Sequence, residues 1–140
     1  MGSILIVESD PDTRDRLGNA LREAKHDVLL AVSLSEAYLR LGEGGIDVVV
    51  IDSYDPRVGV VELVKNMNTL PDTPPVVLVS GSPHAPEISA RIGAAAFVPK
   101  PLDAFELVSV IDRLTGHLRP VRSPEFADDE PTGPARQFGT

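Results

Sequence analysis

The sequence predicts an α/β fold, a five-stranded parallel sheet held between two layers of helices. Three observations predict it. Strand-like runs recur at Ile4–Val7, Asp27–Ala31, Val48–Ile51, Val76–Val79 and Ala94–Val98, and a stretch with apolar residues at helical spacing follows each. The central runs, such as Val48-Val49-Val50-Ile51, are unbroken rather than alternating, which marks strands buried on both faces. Strict alternation of strand and helix requires right-handed crossovers that cover both faces of the sheet.

Each element has its own signals. The first strand ends in Glu8-Ser9-Asp10, and Asp10-Pro11 opens a helix with Asp as N-cap and Pro at the first helical position. Leu17, Ala20, Leu21 and Ala24 give that helix one apolar face. After the second strand, Ser33 with Glu36 predicts a capping box, and Leu34, Ala37, Tyr38 and Leu41 line the second helix until Gly42, Gly44 and Gly45 stop it. The third strand runs into Asp52, followed by the loop Ser53-Tyr54-Asp55-Pro56-Arg57-Val58-Gly59 and a helix with Val60, Leu63, Val64 and Met67 on one face. The fourth strand ends in Ser80-Gly81-Ser82, and a weaker helix over 85–92 turns Ala85, Ile88 and Ile92 inward. The fifth strand, Ala94 to Val98, ends in Pro99-Lys100-Pro101. Asp103 with Glu106 has the form of a second capping box, opening a helix whose Leu107, Val110, Ile111, Leu114 and Leu118 face the core. From about Arg119 the pattern stops. Four prolines and the run Asp128-Asp129-Glu130 leave nothing to bury. The expected organisation is one domain over 1–119, with 120–140 a disordered tail or a linker cut short.

Composition narrows the function. There is no cysteine, so thiolate metal sites, disulfides and cysteine nucleophiles are excluded. No run has the length of a membrane span or the form of a signal peptide, so a soluble, cytoplasmic protein away from membranes is expected. The net charge of −8 gives no basic footprint, so direct nucleic-acid binding is not expected. His26, His84 and His117 are scattered and suggest no metal site.

In open α/β sheets ligands bind beyond the carboxyl ends of the strands. There this chain places Glu8, Ser9 and Asp10, then Asp52, Ser80 and Lys100. Each alone is ordinary turn chemistry; together they form a set. Clustered carboxylates repel unless a cation lies between them, and oxygen ligands of this kind suit Mg²⁺. A carboxylate beside Mg²⁺ and a lysine can attack phosphorus to form an aspartyl-phosphate.

The motifs Ile4-Leu5-Ile6-Val7-Glu8, Val49-Val50-Ile51-Asp52 with Pro56 beyond it, Val79-Ser80-Gly81 and Phe97-Val98-Pro99-Lys100-Pro101 carry a resemblance. Over about Ile4 to Leu118 the chain is similar to the receiver domain of two-component response regulators. The resemblance implies a flavodoxin-like (βα)5 three-layer sandwich with strand order 2-1-3-4-5. It implies that Asp52 is the phospho-acceptor, served by a sensor histidine kinase or phosphotransfer protein, with Lys100 pairing with the phosphoryl group. Ser80 would be the switch hydroxyl. Phe97 would be the switch aromatic, core packing being the alternative. Mg²⁺ would be held by Glu8, Asp52 and the Tyr54 backbone carbonyl, and the Lys100-Pro101 bond would be cis. Such a domain is a signalling module that catalyses only its own phosphoryl transfer and dephosphorylation. Its face of fourth helix, fifth strand and fifth helix would switch a downstream partner or output domain.

Two departures qualify the resemblance. The family's second acid after strand one is Ser9 here, which removes one charge and one strong ligand, so weakened Mg²⁺ binding is expected unless Asp10 leaves its cap or Glu8 reaches further. Gly59 stands seven residues after Asp52 rather than eight, so the intervening loop is expected to be distorted. A phosphorylation-independent pseudo-receiver is the alternative. A hydrolase of the haloacid dehalogenase type is disfavoured because Tyr54 replaces its second aspartate. Neither G-x-G-x-x-G nor a P-loop motif occurs.

Overall fold

A computed structural model describes residues 2–116. Five parallel strands, β1 (Ser3–Val7), β2 (Asp27–Ala31), β3 (Val48–Asp52), β4 (Val76–Ser80) and β5 (Ala96–Pro99), stand in the order β2-β1-β3-β4-β5. The helices are α1 (Pro11–Glu23), α2 (Leu34–Gly42), α3 (Val60–Met67), α4 (Ala85–Arg91) and α5 (Ala104–Thr115). This is the flavodoxin-like sandwich.

Side chains of successive strand residues point to opposite faces, and the two cores follow that rule. Ile4, Ile6, Val48 and Val50 meet Leu17 and Leu21 of α1 and Leu107, Val110 and Ile111 of α5. Leu5, Val7, Val49 and Ile51 meet Ala37 and Leu41 of α2, Leu63, Val64 and Met67 of α3, and Ala85 and Ile88 of α4. All five residues of β3 are buried. Asp52 therefore ends a strand with no freedom to shift.

The Asp10 cap forms as expected, its carboxylate accepting from the Thr13 amide at 2.9 Å. The two capping boxes form only in half. Ser33 Oγ accepts from the Glu36 amide, but Glu36 reaches back to the Val32 amide, one residue earlier than the box requires. Asp103 accepts from the Phe105 amide rather than from Glu106. The fifth strand starts two residues later than its apolar run, at Ala96. The Ala94 amide is spent on Ser89 O at the end of α4, and the first rung to β4 is Ala95 N–H to Val76 O at 2.8 Å. Leu118, His117 and the predicted tail lie outside the described residues.

His26 has a structural place that its sequence position did not suggest. It is buried; its Nε2 lies 2.7 Å from Asp112 Oδ1 on α5, and its Nδ1 accepts from the Gly2 amide. With Nδ1 accepting, the neutral ring donates Nε2–H to the carboxylate.

Gly59 caps α3 with φ +83°, and a Cβ there would run into Cδ1 of Leu34. Gly59→Ala therefore meets two penalties, a left-handed backbone and a collision with the first residue of α2. The expected loss of stability is about 1–2 kcal/mol, read as a lower urea midpoint. An unchanged midpoint would mean that the β3–α3 loop relaxes around the new methyl.

Candidate functional site

The sheet mouth brings the expected residues together. Asp52, Glu8 and Ser80 are all buried there, at 8%, 7% and 1% exposure. Lys100 Nζ lies 2.8 Å from Asp52 Oδ1. The lysine is steered in by its own backbone, whose N–H donates to Ser80 O at 3.2 Å and so ties the end of β5 to β4. The Lys100–Pro101 peptide bond is cis.

Asp52 Oδ2 is buried and has no hydrogen-bond partner. A buried carboxylate oxygen left in that state is costly, so the site holds negative charge that nothing in the described chain fully answers. Glu8 tells the same story. Burial is the largest influence raising its carboxyl above the ordinary 4.5, and the neighbouring Asp52 adds to the rise, against the Asp10 amide and Lys100. Its Oε2 accepts from the Asp10 amide at 3.0 Å.

A carboxyl raised in the folded state binds its proton more tightly there than in the unfolded chain. The stability it contributes is complete below its ordinary value and is lost as pH rises through the raised value. In metal-free buffer, wild type should lose stability relative to Glu8→Gln as pH climbs from about 4 towards neutrality. Parallel urea midpoints across that range would contradict this. The exposed Asp10 and the half-buried Asp55 are held below their ordinary values, by the Thr13 and Arg57 hydrogen bonds respectively, and act in the opposite direction, towards loss at acid pH.

Around the acids, Ser80 Oγ accepts from the Ser82 amide at 3.1 Å. Its own proton is then available to an oxygen arriving at Asp52. Asp10 remains on the Thr13 amide. Ser9 is exposed. Tyr54 is 97% exposed, its side chain outside the site, and lies on the lining of the same cleft as Asp52. Phe97 is half-buried, opposite Leu78 in the ladder and packed against the α2–α3–α4 core.

Two residues that the sequence did not single out belong to this end of the molecule. Arg14 Nη1 donates to Glu8 O at 3.1 Å and to Ser9 O at 3.5 Å, holding the turn after β1. Arg57 makes a bidentate pair with Asp55, Nε to Oδ1 and Nη2 to Oδ2, both at 3.0 Å, which stiffens the β3–α3 loop. An Asp-x-Arg spacing was the available signal for the second; nothing local announced the first.

Among the described residues no group of three or more acids or histidines is arranged to hold a metal ion. The pair that is present, Glu8 and Asp52, with an orphaned oxygen and an elevated carboxyl, has the chemistry of a site for a hard divalent cation that keeps several waters. The donor set fits Mg²⁺ with fewer protein charges than three acids would supply.

A family model described as "Response regulator receiver domain" matches residues 4–112. The chain is 28% identical over 130 residues to the DNA-binding transcriptional regulator NtrC of Rhizobium meliloti, covering 91% of this chain and 26% of that protein. It is 29% identical over 130 residues to the response regulator MprA of a Mycobacterium species (strain KMS), covering 91% of this chain and 55% of the relative. It thus spans roughly a quarter to a half of the curated relatives it matches. Among solved structures, the non-phosphorylated HemR receiver domain of Leptospira biflexa superposes with a TM-score of 0.72 at 27% identity, over 87% of this chain and 100% of that one. A Francisella response regulator 1452 receiver domain, at 21% identity and TM-score 0.74, covers 85% of this chain and 100% of its own and supports the fold.

Proposed function

The chain belongs to the response regulator receiver domain family, and from that premise we propose that it is a phosphorylatable switch with Asp52 as the acceptor. The observation that carries the reading is the pairing of Asp52 with Lys100 at 2.8 Å while the second carboxylate oxygen is left without a partner. One oxygen is oriented and charge-balanced by Lys100; the other is left beside the raised carboxyl of Glu8.

In the proposed step an Asp52 oxygen forms a bond to the phosphorus of a phosphohistidine on a sensor kinase or phosphotransfer protein. The P–N bond breaks, and its electron pair leaves with the imidazole. Lys100 then transfers its ion pair to a phosphoryl oxygen. Ser80 turns its hydroxyl proton to another. Mg²⁺, held by Glu8, Asp52 and the Tyr54 carbonyl, would neutralise charge on the transferring group. Movement of Ser80 frees space beside β5, and Phe97 follows it. This biases the face of α4, β5 and α5 between two packings that a downstream protein or output domain reads. Loss of the phosphoryl group to water resets the switch.

A pseudo-receiver that engages its partner without phosphorylation is the second reading, favoured by Ser9 and by the finding that no three acids are arranged to hold a metal ion among the described residues. Intact-mass spectrometry after incubation with acetyl phosphate, with and without Mg²⁺, separates the two. A Mg²⁺-dependent gain of one phosphoryl group supports the switch. No gain from acetyl phosphate or from any kinase leaves the pseudo-receiver.

A further inference from the structure

Strand β2 is one edge of the sheet and pairs with β1 alone. The Asp27 N–H reaches Gly2 O, and Ala31 O receives the Glu8 N–H, so Asp27, Leu29 and Ala31 are the residues that face β1. Backbone groups alternate in direction along a strand, so Val28 and Leu30, between them, aim their N–H and C=O away from the sheet. His26 and Val32 share that parity, but their amides are taken. His26 N–H goes to Leu21 O at 3.1 Å, and Val32 N–H to Glu36 Oε1 at 2.8 Å. What stays open is a short stretch with Leu29 at its centre. Natural sheets commonly guard such an edge with a lysine, a proline or a bulge. Val28-Leu29-Leu30 has none of these. Leu29 is 39% exposed, in register with Leu5 and so on the α2 side of the sheet. By contrast, every residue of β3 and β4 is buried.

We propose that this edge pairs with the same edge of a second copy of the chain. The open stretch is its own complement. Antiparallel pairing about a two-fold axis through Leu29 sets Val28 opposite Leu30 of the copy, and Leu30 opposite Val28 of the copy. Those are the positions whose N–H and C=O point outward, so each pair exchanges both of its bonds. Leu29 meets Leu29 of the copy as a non-hydrogen-bonded pair, where side chains approach most closely. The register has no neighbour to slip into. A shift of one residue sets outward-facing groups against inward-facing ones, and a shift of two runs into the occupied amide of His26 or Val32. Asp27 falls opposite Ala31 of the copy, so the ladder opposes no like charges. The chain's own tail is a poorer occupant. Pro120, Pro124, Pro131 and Pro134 interrupt it, and proline brings no N–H to a ladder. The result is one sheet continued across two molecules, with the two Asp52 mouths pointing in opposite directions and each β5 edge outside the contact.

The chain has no cysteine, so a single introduced thiol reports its own neighbour. In this pairing the two Leu29 Cα atoms stand about 4.5 Å apart, within reach of a disulfide. Under mild oxidation of the full chain, Leu29→Cys should form covalent dimer at least about tenfold faster than Leu39→Cys, whose site on α2 is more exposed, at 70%, but off the edge. Leu29→Lys places like charges on the axis. It should shift the sedimenting species from dimer to monomer and leave the urea midpoint at the wild-type value. Hydrogen exchange at the Val28 and Leu30 amides should slow as the wild-type concentration rises. Equal cross-linking rates for the two thiols overturn the proposal, as does wild type that stays monomeric up to about 1 mM. A dimer that survives Leu29→Lys overturns it by placing the contact on another face. Protection of the two amides that ignores concentration overturns it by giving the edge to the chain's own tail.

Discussion

Asp52→Ala should take up no phosphoryl group from acetyl phosphate or from a phosphorylated kinase, and should fold as well as wild type. The two halves of that expectation rest on different physics. Loss of uptake is chemical: an alanine has no nucleophilic oxygen, and Glu8, the neighbouring acid, is still pushed towards its protonated form by burial. Retention of the fold is electrostatic. Removing one member of an ion pair is severe when it strands a buried charge. Here the member left behind is Lys100, whose side chain is 35% exposed, against 2% for Asp52. The ammonium turns to water, the orphaned Oδ2 disappears, and Glu8 loses its repulsive neighbour. The stability change should stay within about 1 kcal/mol. The opposite change, Lys100→Met, leaves the carboxylate buried and uncompensated and should cost about 3 kcal/mol. Intact mass reads the first effect and urea denaturation the second. Uptake that persists in Asp52→Ala would move the acceptor elsewhere. A variant with Asp52→Ala that unfolds as readily as Lys100→Met would mean that the pair is worth more than the exposure of its lysine allows.

The parts of this molecule that were legible in the sequence are those governed by short-range pattern. Val48-Val49-Val50-Ile51 can only be a strand buried on both sides, and the strand stops where its apolar run meets Asp52. Once five strands are parallel, their carboxyl ends share one edge, and Glu8, Asp52, Ser80 and Lys100 meet there without any further information. What stayed hidden depends on pairs distant in the chain. His26 finds Asp112 across 86 positions. Gly59 is a glycine because of Leu34, as well as because of its own backbone. The spacing of Gly59 suggested a distorted loop; the structure shows the glycine as a left-handed cap packed against α2. The boundary of β5 shifted because one amide had a competing acceptor at the end of α4. Ser9 was visible as a departure at once, and so was the Asp10 cap from its Asp-Pro pair; the structure shows that cap formed on the Thr13 amide.

That cap sharpens the expectation for Ser9→Asp. With Asp10 occupied as a cap, a new carboxylate after β1 adds a charge to the Glu8–Asp52 pair that nothing nearby duplicates. Two unit charges about 4 Å apart interact by about 4 kcal/mol at an effective dielectric of 20, and the charge on Mg²⁺ is double. Dehydration of the ion and of the new carboxylate removes much of that gain, and affinity for Mg²⁺ should rise at least about tenfold. The same charge works against the metal-free protein. It adds repulsion to a site that already holds one carboxyl above its ordinary range. The variant should therefore unfold at lower temperature than wild type without Mg²⁺. It should then gain more from each increment of added Mg²⁺, because a ligand that binds only the folded state stabilises it according to its own affinity. The two melting curves should cross as the ion is titrated. Crossing would show that Ser9 trades metal affinity for a quieter resting site. Parallel curves would show that Glu8 or Asp10 already supplies the ligand, with Asp10 giving up its cap when the ion arrives. In that case Asp10→Asn, which keeps a capping oxygen but loses the charge, should abolish the response to Mg²⁺ that Ser9→Asp failed to change.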